Sequence, residues 1–285
     1  MGISNAVGHT LTASVALAIL AGCSGGSSPM APAPLRLAPD GGPQSLQQQA
    51  AEARVNSILA LHRGIVSPRP LIAASFMNAN AVHRPLIFVA DGVSNVDIYP
   101  QAGKDQKMVG QITGLNGAFG LATDAARNVY IVSNGNSGEV LVYAPPYTSA
   151  PKLTLDDSGS FPFGVAVSHQ GVVGVANTCS APSCPSGSSN VTFFAKNSTT
   201  ACATVADPTN FAIVFYDAFS DKGNLYIAGF DPSFNAVVGE IAGGCNATKI
   251  TLLTTTNTLG FPSGIQVDKA DRVAILNGSG STRAC

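Results

Sequence analysis

Three groups of residues in this chain have types and spacings that could do chemistry. Cys23 follows Ala21 and Gly22, small residues that let a peptide lie extended in a narrow protease site, and its sulfur is a nucleophile. Five further cysteines, Cys179, Cys184, Cys202, Cys245 and Cys285, can form two bridges at most, leaving one over. Asp91, Asn134, Asn177, Asp231 and Asn277 each end or closely follow an apolar run, and their oxygens are the hard donors that Ca2+ takes. The plainer role for the same residues is to cap strands and turns. The histidines are His9, His62, His83 and His169. Only His169 falls in the strand-rich part, in the turn Ser168-His169-Gln170-Gly171, where exposure is expected and no Ser/His/Asp arrangement is visible. The Cys179–Cys184 pair has no second ligand pair nearby, so it reads as a stapled loop and not as zinc. No Gly-rich phosphate loop follows a strand and opens a helix.

The elements that must position these groups differ sharply along the chain. Of 285 residues, 45% are hydrophobic and only 11% charged, well under the roughly 25% of ordinary soluble domains. Gly, Ser, Thr and Asn take the surface role, which suits short strands joined by many turns. The formal net charge is −1 and no Lys/Arg stripe exists, so no nucleic-acid partner is expected.

Leu11–Leu20 is a ten-residue apolar run, too short for a bilayer but the length of a signal-peptide core. It leads into Leu20-Ala21-Gly22-Cys23 and then Ser24-Gly25-Gly26. This segment resembles the lipobox of bacterial lipoproteins. The resemblance implies a signal peptide at 1–22, lipid transfer to Cys23 and cleavage before it. It also implies an exported chain held to the membrane of the cell envelope, the outer membrane where there is one. Residues 23–84 read as a Ser/Gly/Pro-rich tether with a short helix around 45–63. Ser45 and Gln48 suggest a capping box, and Ala51, Val55, Ile58, Leu59 and His62 share one face that should pack on the domain that follows.

From residue 85 to 285 a pattern recurs. Leu86–Asp91, Asn128–Asn134, Val172–Asn177, Asn224–Gly229 and Val273–Asn277 are apolar strands ending in Asp, Asn or Gly. Turns precede them, and second strands follow at Val96–Tyr99, Glu139–Tyr143, Val191–Phe194 and Val237–Ile241. The strand starts Val129, Val172, Leu225 and Val273 lie 43, 53 and 48 residues apart, a period that indicates propeller blades. The order of Gly-aliphatic-x-Asp, turn, apolar strand and second strand is similar to the NHL family of propellers. The expected fold is therefore an all-β propeller with four recognisable blades and a partial one. The six-bladed rings usual for the family imply a fragment of such a ring, a true four- or five-bladed design being the alternative.

Within that frame Gly120, Gly164 and Gly264 should mark close blade packing. Asp124, Asp221 and Asp268 should open turns that Asn128, Gly171 and Gly223 complete with positive φ. The anchor strands are taken as innermost, which would gather the five Asp/Asn oxygens around the channel mouth. Cys179 should bridge Cys184. Cys202 should bridge Cys245 as a staple between adjacent blades, leaving Cys285 free. Tyr147, Phe161, Phe163, Phe211 and Phe215 are either an aromatic patch or core. The leading functional expectation is a non-enzymatic envelope module, anchored at Cys23, that binds a protein or glycan and needs no cofactor. A metal-dependent lactonase-like hydrolase using Ca2+ in the channel is the alternative, although such propellers carry a Glu among their ligands and none ends an anchor strand here. A truncated product without independent function is the third.

Overall fold

The computed structural model describes residues 46–64, 74–103, 106–133, 138–180, 184–185, 187–255 and 259–278. The expectations for the signal peptide, the linker, Ser45, Cys23, Asn134 and Cys285 fall outside these residues, as does the side chain of His62. One helix, α1 (Leu46–Gly64), precedes four four-stranded antiparallel sheets and a two-stranded one. The first sheet holds β1 (Phe76–Met77), β2 (Leu86–Ala90), β3 (Val96–Pro100) and β4 (Gly110–Ile112), in the spatial order β1-β4-β3-β2. The second is the meander β5 (Ala118–Thr123), β6 (Val129–Ser133), β7 (Glu139–Tyr143) and β8 (Leu153–Asp156). The third runs β9 (Ser160–Val167), β10 (Val173–Ser180), β11 (Asn190–Phe194) and β12 (Ala201–Val205). The fourth runs β13 (Ile213–Phe219), β14 (Leu225–Phe230), β15 (Ala236–Ile241) and β16 (Thr251–Leu253), and the fifth pairs β17 (Pro262–Val267) with β18 (Val273–Asn277). Among the described residues no sheet closes on itself, and each packs against the next as blades do. Phe76–Met77, inside the expected tether, pairs with Gln111 and Gly110 of β4, so the sheets begin before residue 85.

Apolar cores fill the seams between sheets. Val96, Ile98, Ile112, Val129 and Ile131 occupy the first seam, and Val132, Val142, Val165, Val175 and Phe194 the second. Phe193, Phe211, Leu225 and Ile227 fill the third seam, and Ala228, Val238 and Ile265 the fourth. β-branched and aromatic residues suit these half-enclosed pleated surfaces, and no single sheet could bury both faces alone.

The contacts between sheets run β5 to β9 to β13 to β17, so these strands line the axis. The anchor strands β6, β10, β14 and β18 are second, which corrects the expectation that they are innermost, whereas the first anchor strand, β2, stands at the edge of its sheet against β5. Gly120 and Gly164 behave as expected: an added Cβ would come within 2.5 Å of the Phe163 carbonyl oxygen and 2.7 Å of the Phe215 carbonyl oxygen. Gly264 does not, for the nearest atom would lie 3.9 Å away. β18 is likewise half to fully exposed along its length, whereas β6 and β14 are buried throughout.

The turns from inner to second strand follow one scheme with two corrections. Asp124 Oδ1 accepts the Asn128 N–H at 2.8 Å, and Asp268 Oδ1 accepts that of Arg272 at 2.9 Å. In the fourth sheet Ser220 opens the turn, accepting the Asn224 N–H at 3.3 Å, which frees Asp221. Positive φ falls on Arg127 at 65° in place of Asn128, because the left-handed residue stands just before the second strand's first hydrogen bond. The freed Asp221 meets exposed His169 of the previous turn at 2.8 Å, and Lys222 pairs with Asp271 of the next. Arg127 donates to the Arg84 carbonyl oxygen at 2.7 Å, so these turns lace neighbouring sheets together.

Candidate ligand face

Antiparallel pairing puts the start of each inner strand beside the end of its second strand, as Ala118 opposite Ser133 and Pro262 opposite Asn277 show. The loops entering the inner strands and those leaving the second strands therefore share one face of the assembly. α1 lies on that face. Ala51, Val55 and Leu59 are buried at helical spacing, packed with Cys179, Cys184, Phe215, Phe230, Phe234 and Phe261. Arg54 lies 5.4 Å from the Phe261 ring centroid, and Gln48 Nε2 donates to the Ser233 carbonyl oxygen at 3.0 Å. The sequence foretold the helix and its apolar face, but not that the helix covers the loop face.

Under the helix lies an aromatic arc. Each inner strand carries one extra residue in its pairing with the second strand. In β9 it is Phe163, between Pro162 opposite Asn177 and Gly164 opposite Ala176; in β13 it is Phe215. In β5 the irregularity falls on Phe119-Gly120 and in β17 on Ser263-Gly264. A bulge of this kind bends the strand and re-aims a side chain, and here it turns the phenylalanines toward one another. Phe119 and Phe163 stack at 5.3 Å, Phe163 meets Phe215 edge-on at 5.1 Å, and Phe215 meets Phe261 and Phe230, each at 6.2 Å. Phe119 and Phe163 remain partly exposed. Of the aromatics named from sequence, Phe163 and Phe215 belong to this arc and Phe161 packs beside it. Tyr147 instead fills the first seam, edge-on to Phe88 at 5.2 Å, and Phe211 is buried in the third. Phe119, Phe230 and Phe261 were missed. The signal for Phe119 was available in the aligned Phe-Gly pairs at 119–120 and 163–164.

Of the five Asp and Asn side chains expected at the channel mouth, the four described ones are each engaged by neighbours of their own. Asp91 accepts the N–H groups of Val93, Ser94 and Asn95 at 2.7, 2.8 and 3.0 Å on Oδ1 and the Asn95 side chain at 2.9 Å on Oδ2. Asp231 repeats this with Ser233 and Asn235, each at 2.8 Å. Asn277 Oδ1 accepts the Gly260 N–H at 2.8 Å. Asn177 is fully buried and donates to Asn190 Oδ1 at 2.9 Å and Thr192 Oγ1 at 3.1 Å. Among the described residues no three His, Cys, Asp or Glu side chains come together as a metal centre.

Both expected disulfides are present. Cys179 and Cys184 close the loop beside α1 with a Cα separation of 5.0 Å. Cys202 of β12 joins Cys245 of the turn Gly244–Asn246, across the outer edges of the third and fourth sheets, at 5.1 Å. Two acids stand apart in the seams: burial pushes Asp157 up to about 6 and Asp217 well above the ordinary carboxylate range.

No family model and no curated protein matches the chain. Solved structures do. U3-55K is similar over 72% of this chain and 60% of its own length, with a TM-score of 0.50 at 10% identity. A protein of unknown function from Bacteroides caccae follows over 68% and 65%, at 0.49 and 14%. A gluconolactonase from Xanthomonas campestris follows over 64% and 62%, at 0.44 and 16%. The chain thus spans less than two thirds of the length of these three neighbours. At such identities the likeness is one of fold: an all-β, propeller-like stack of sheets.

Proposed function

We propose that this chain is an extracytoplasmic binding module, tethered to the membrane through a lipid on Cys23, whose ligand face is the aromatic arc beneath α1. The arc carries the reading. Inner-strand bulges present Phe119 and Phe163 on the same face as the stapled Cys179–Cys184 loop, and the interblade disulfide stiffens the frame behind them. Rigid aromatic rings offer large contact area at little entropic cost, suited to an apolar protein segment or the apolar face of a sugar ring. The two disulfides accord with the export that the Leu-Ala-Gly-Cys run implies. A screen of glycans and envelope peptides against the purified chain tests the face. Phe119→Ala with Phe163→Ala should weaken any hit at least tenfold while both disulfides still form, and undiminished binding would sink the assignment. Cys23→Ser should abolish labelling by a palmitate analogue.

A further inference from the structure

The loop entering β9 is held differently from its counterparts. Ser133, Asn177 and Asn277 stand at one register, two residues beyond Ile131, Val175 and Ile275, which face Leu121, Val165 and Ile265. In the second sheet Ser133 Oγ accepts the Asn116 N–H at 3.3 Å, and in the fifth Asn277 Oδ1 accepts the Gly260 N–H at 2.8 Å. Each time an N–H meets an oxygen and fastens the loop. In the third sheet the loop residue within reach of Asn177 is Asp157, whose carboxyl also lies against Thr192. A carboxylate brings oxygens where the sister loops bring N–H groups.

The donors there are shared: against the burial that raises the Asp157 carboxyl, the Thr192 hydroxyl and the Asn177 amide lower it by hydrogen bonding, and both also serve Asn190. Asp157 is 4% exposed, Asn177 0%, Thr192 3% and Asn190 9%. Asn177 Nδ2 serves Asn190 and Thr192, and Thr192 Oγ1 donates to Asn190 Oδ1 at 3.2 Å. Asp157 Oδ2 and Asn177 Oδ1 are left buried with no partner. A buried acceptor without a partner is costly, and two in one cluster call for positive charge between them. Further negative charge surrounds the cluster. Asp156 precedes Asp157 and faces Glu139 across the β7–β8 ladder. Burial and the Asp156 charge push Glu139 up, and no cationic side chain acts on Glu139 or Asp157.

We infer that Asp157 and Asn177, flanked by the oxygens of Asn190 and Thr192, hold a hard cation of the calcium type between the second and third sheets. The site lies off the axis, because Asn177 belongs to a second strand and Asn190 and Thr192 to a third. It shares Asn177 alone with the set of strand-end oxygens expected at the channel mouth. Carboxylate, amide and hydroxyl oxygens in irregular array suit the flexible coordination of Ca2+ better than the strict octahedron of Mg2+. One buried carboxylate places the affinity in the weak range of extracellular modules, a Kd of about 10⁻⁴–10⁻³ M. The ion would take over the fastening that an N–H gives in the sister loops.

The test uses the full purified chain, freed of metal by a chelator and melted with CaCl2 or with MgCl2 at equal ionic strength. Calcium at about tenfold over Kd should raise Tm by about 3–6 °C, and magnesium should not. Asp157→Asn, which keeps shape and removes charge, should lose the calcium increment. Asp91→Asn, which removes only a turn cap, should keep it. If Asp157→Asn fails to fold, Thr192→Val must weaken the calcium midpoint about tenfold. An absent response, an equal response to both ions, or an increment that survives these site variants overturns the inference.

Discussion

Replacing Asp217 by valine should stabilise the chain, and more so as pH rises. Asp217 stands in β13 opposite Ile227, at the register where the other inner strands carry Leu121, Val165 and Ile265. Both its carboxylate oxygens are buried without a hydrogen-bond partner, and Oδ1 would lie 2.6 Å from a Cβ added at Gly164. Burial therefore raises the carboxyl well above its ordinary 3.8, tempered by the nearby amides of Asp217 and Ala166. The folded chain thus holds this proton more tightly than the unfolded chain. The associated stability is fully present below pH 3.8 and is lost as pH climbs toward the folded value, by about 1.4 kcal/mol per unit. Valine has no proton to lose. Its advantage over wild type should widen by about 1.4 kcal/mol from pH 4.5 to 5.5, or about 3–6 °C in Tm. A further pH-independent gain of about 1–2 kcal/mol follows from burying an aliphatic group in place of an unpaired polar one. Urea unfolding of wild type, Asp217→Val and Asp217→Asn across this range measures it, the asparagine variant losing the slope but keeping the unpaired polar group. Parallel wild-type and valine curves would refute the buried titrating carboxyl, and a less stable valine variant at every pH would refute the aliphatic register.

Three other outcomes are expected. Cys202→Ala with Cys245→Ala opens a loop of 43 residues and should cost about 4 kcal/mol in the chain-entropy account, read as a lower urea midpoint. Gly164→Ala pushes a Cβ into the Phe215 carbonyl oxygen and should cost about 1–3 kcal/mol, whereas Gly264→Ala has open space and should change stability by less than about 0.5 kcal/mol; equal effects would count against the seam geometry. Leu59→Asp should free α1 from its seat and raise binding of a hydrophobic dye, and an unchanged dye signal would mean that the helix does not cover Phe215, Phe230 and Phe261.

Much of the scaffold was legible because its signals are local. Glu139–Tyr143 and Val273–Asn277 announce themselves as apolar, β-branched runs bounded by turns, and the strands have those bounds, while the run Asn128–Asn134 contains β6. The outer strands β8, β12 and β16 went unseen, since one or both faces meet solvent and an exposed edge needs no apolar run. Which strand lines the axis was misjudged for a related reason. The anchor strands β6, β10 and β14 are the more apolar because they are enclosed on both sides, while inner strands carry the Gly and bulge positions that close approach demands. The Cys202–Cys245 pairing followed from blade spacing, and Cys179–Cys184 from the short loop between them. The aromatic arc could not, since it depends on an unpaired residue turning out of its ladder, and alternation along a sequence assumes an unbroken one.

That unpaired residue has a consequence for how such a face changes over generations. A bulge position owes nothing to the ladder on either side, so its side chain can be exchanged while every neighbouring strand keeps its partners. The series Phe119, Phe163, Phe215 and Ser263 already shows one member rewritten within a single chain. Recognition is thereby uncoupled from architecture: one residue per repeat acts as a replaceable letter, and a new specificity asks for a few such letters without a new fold.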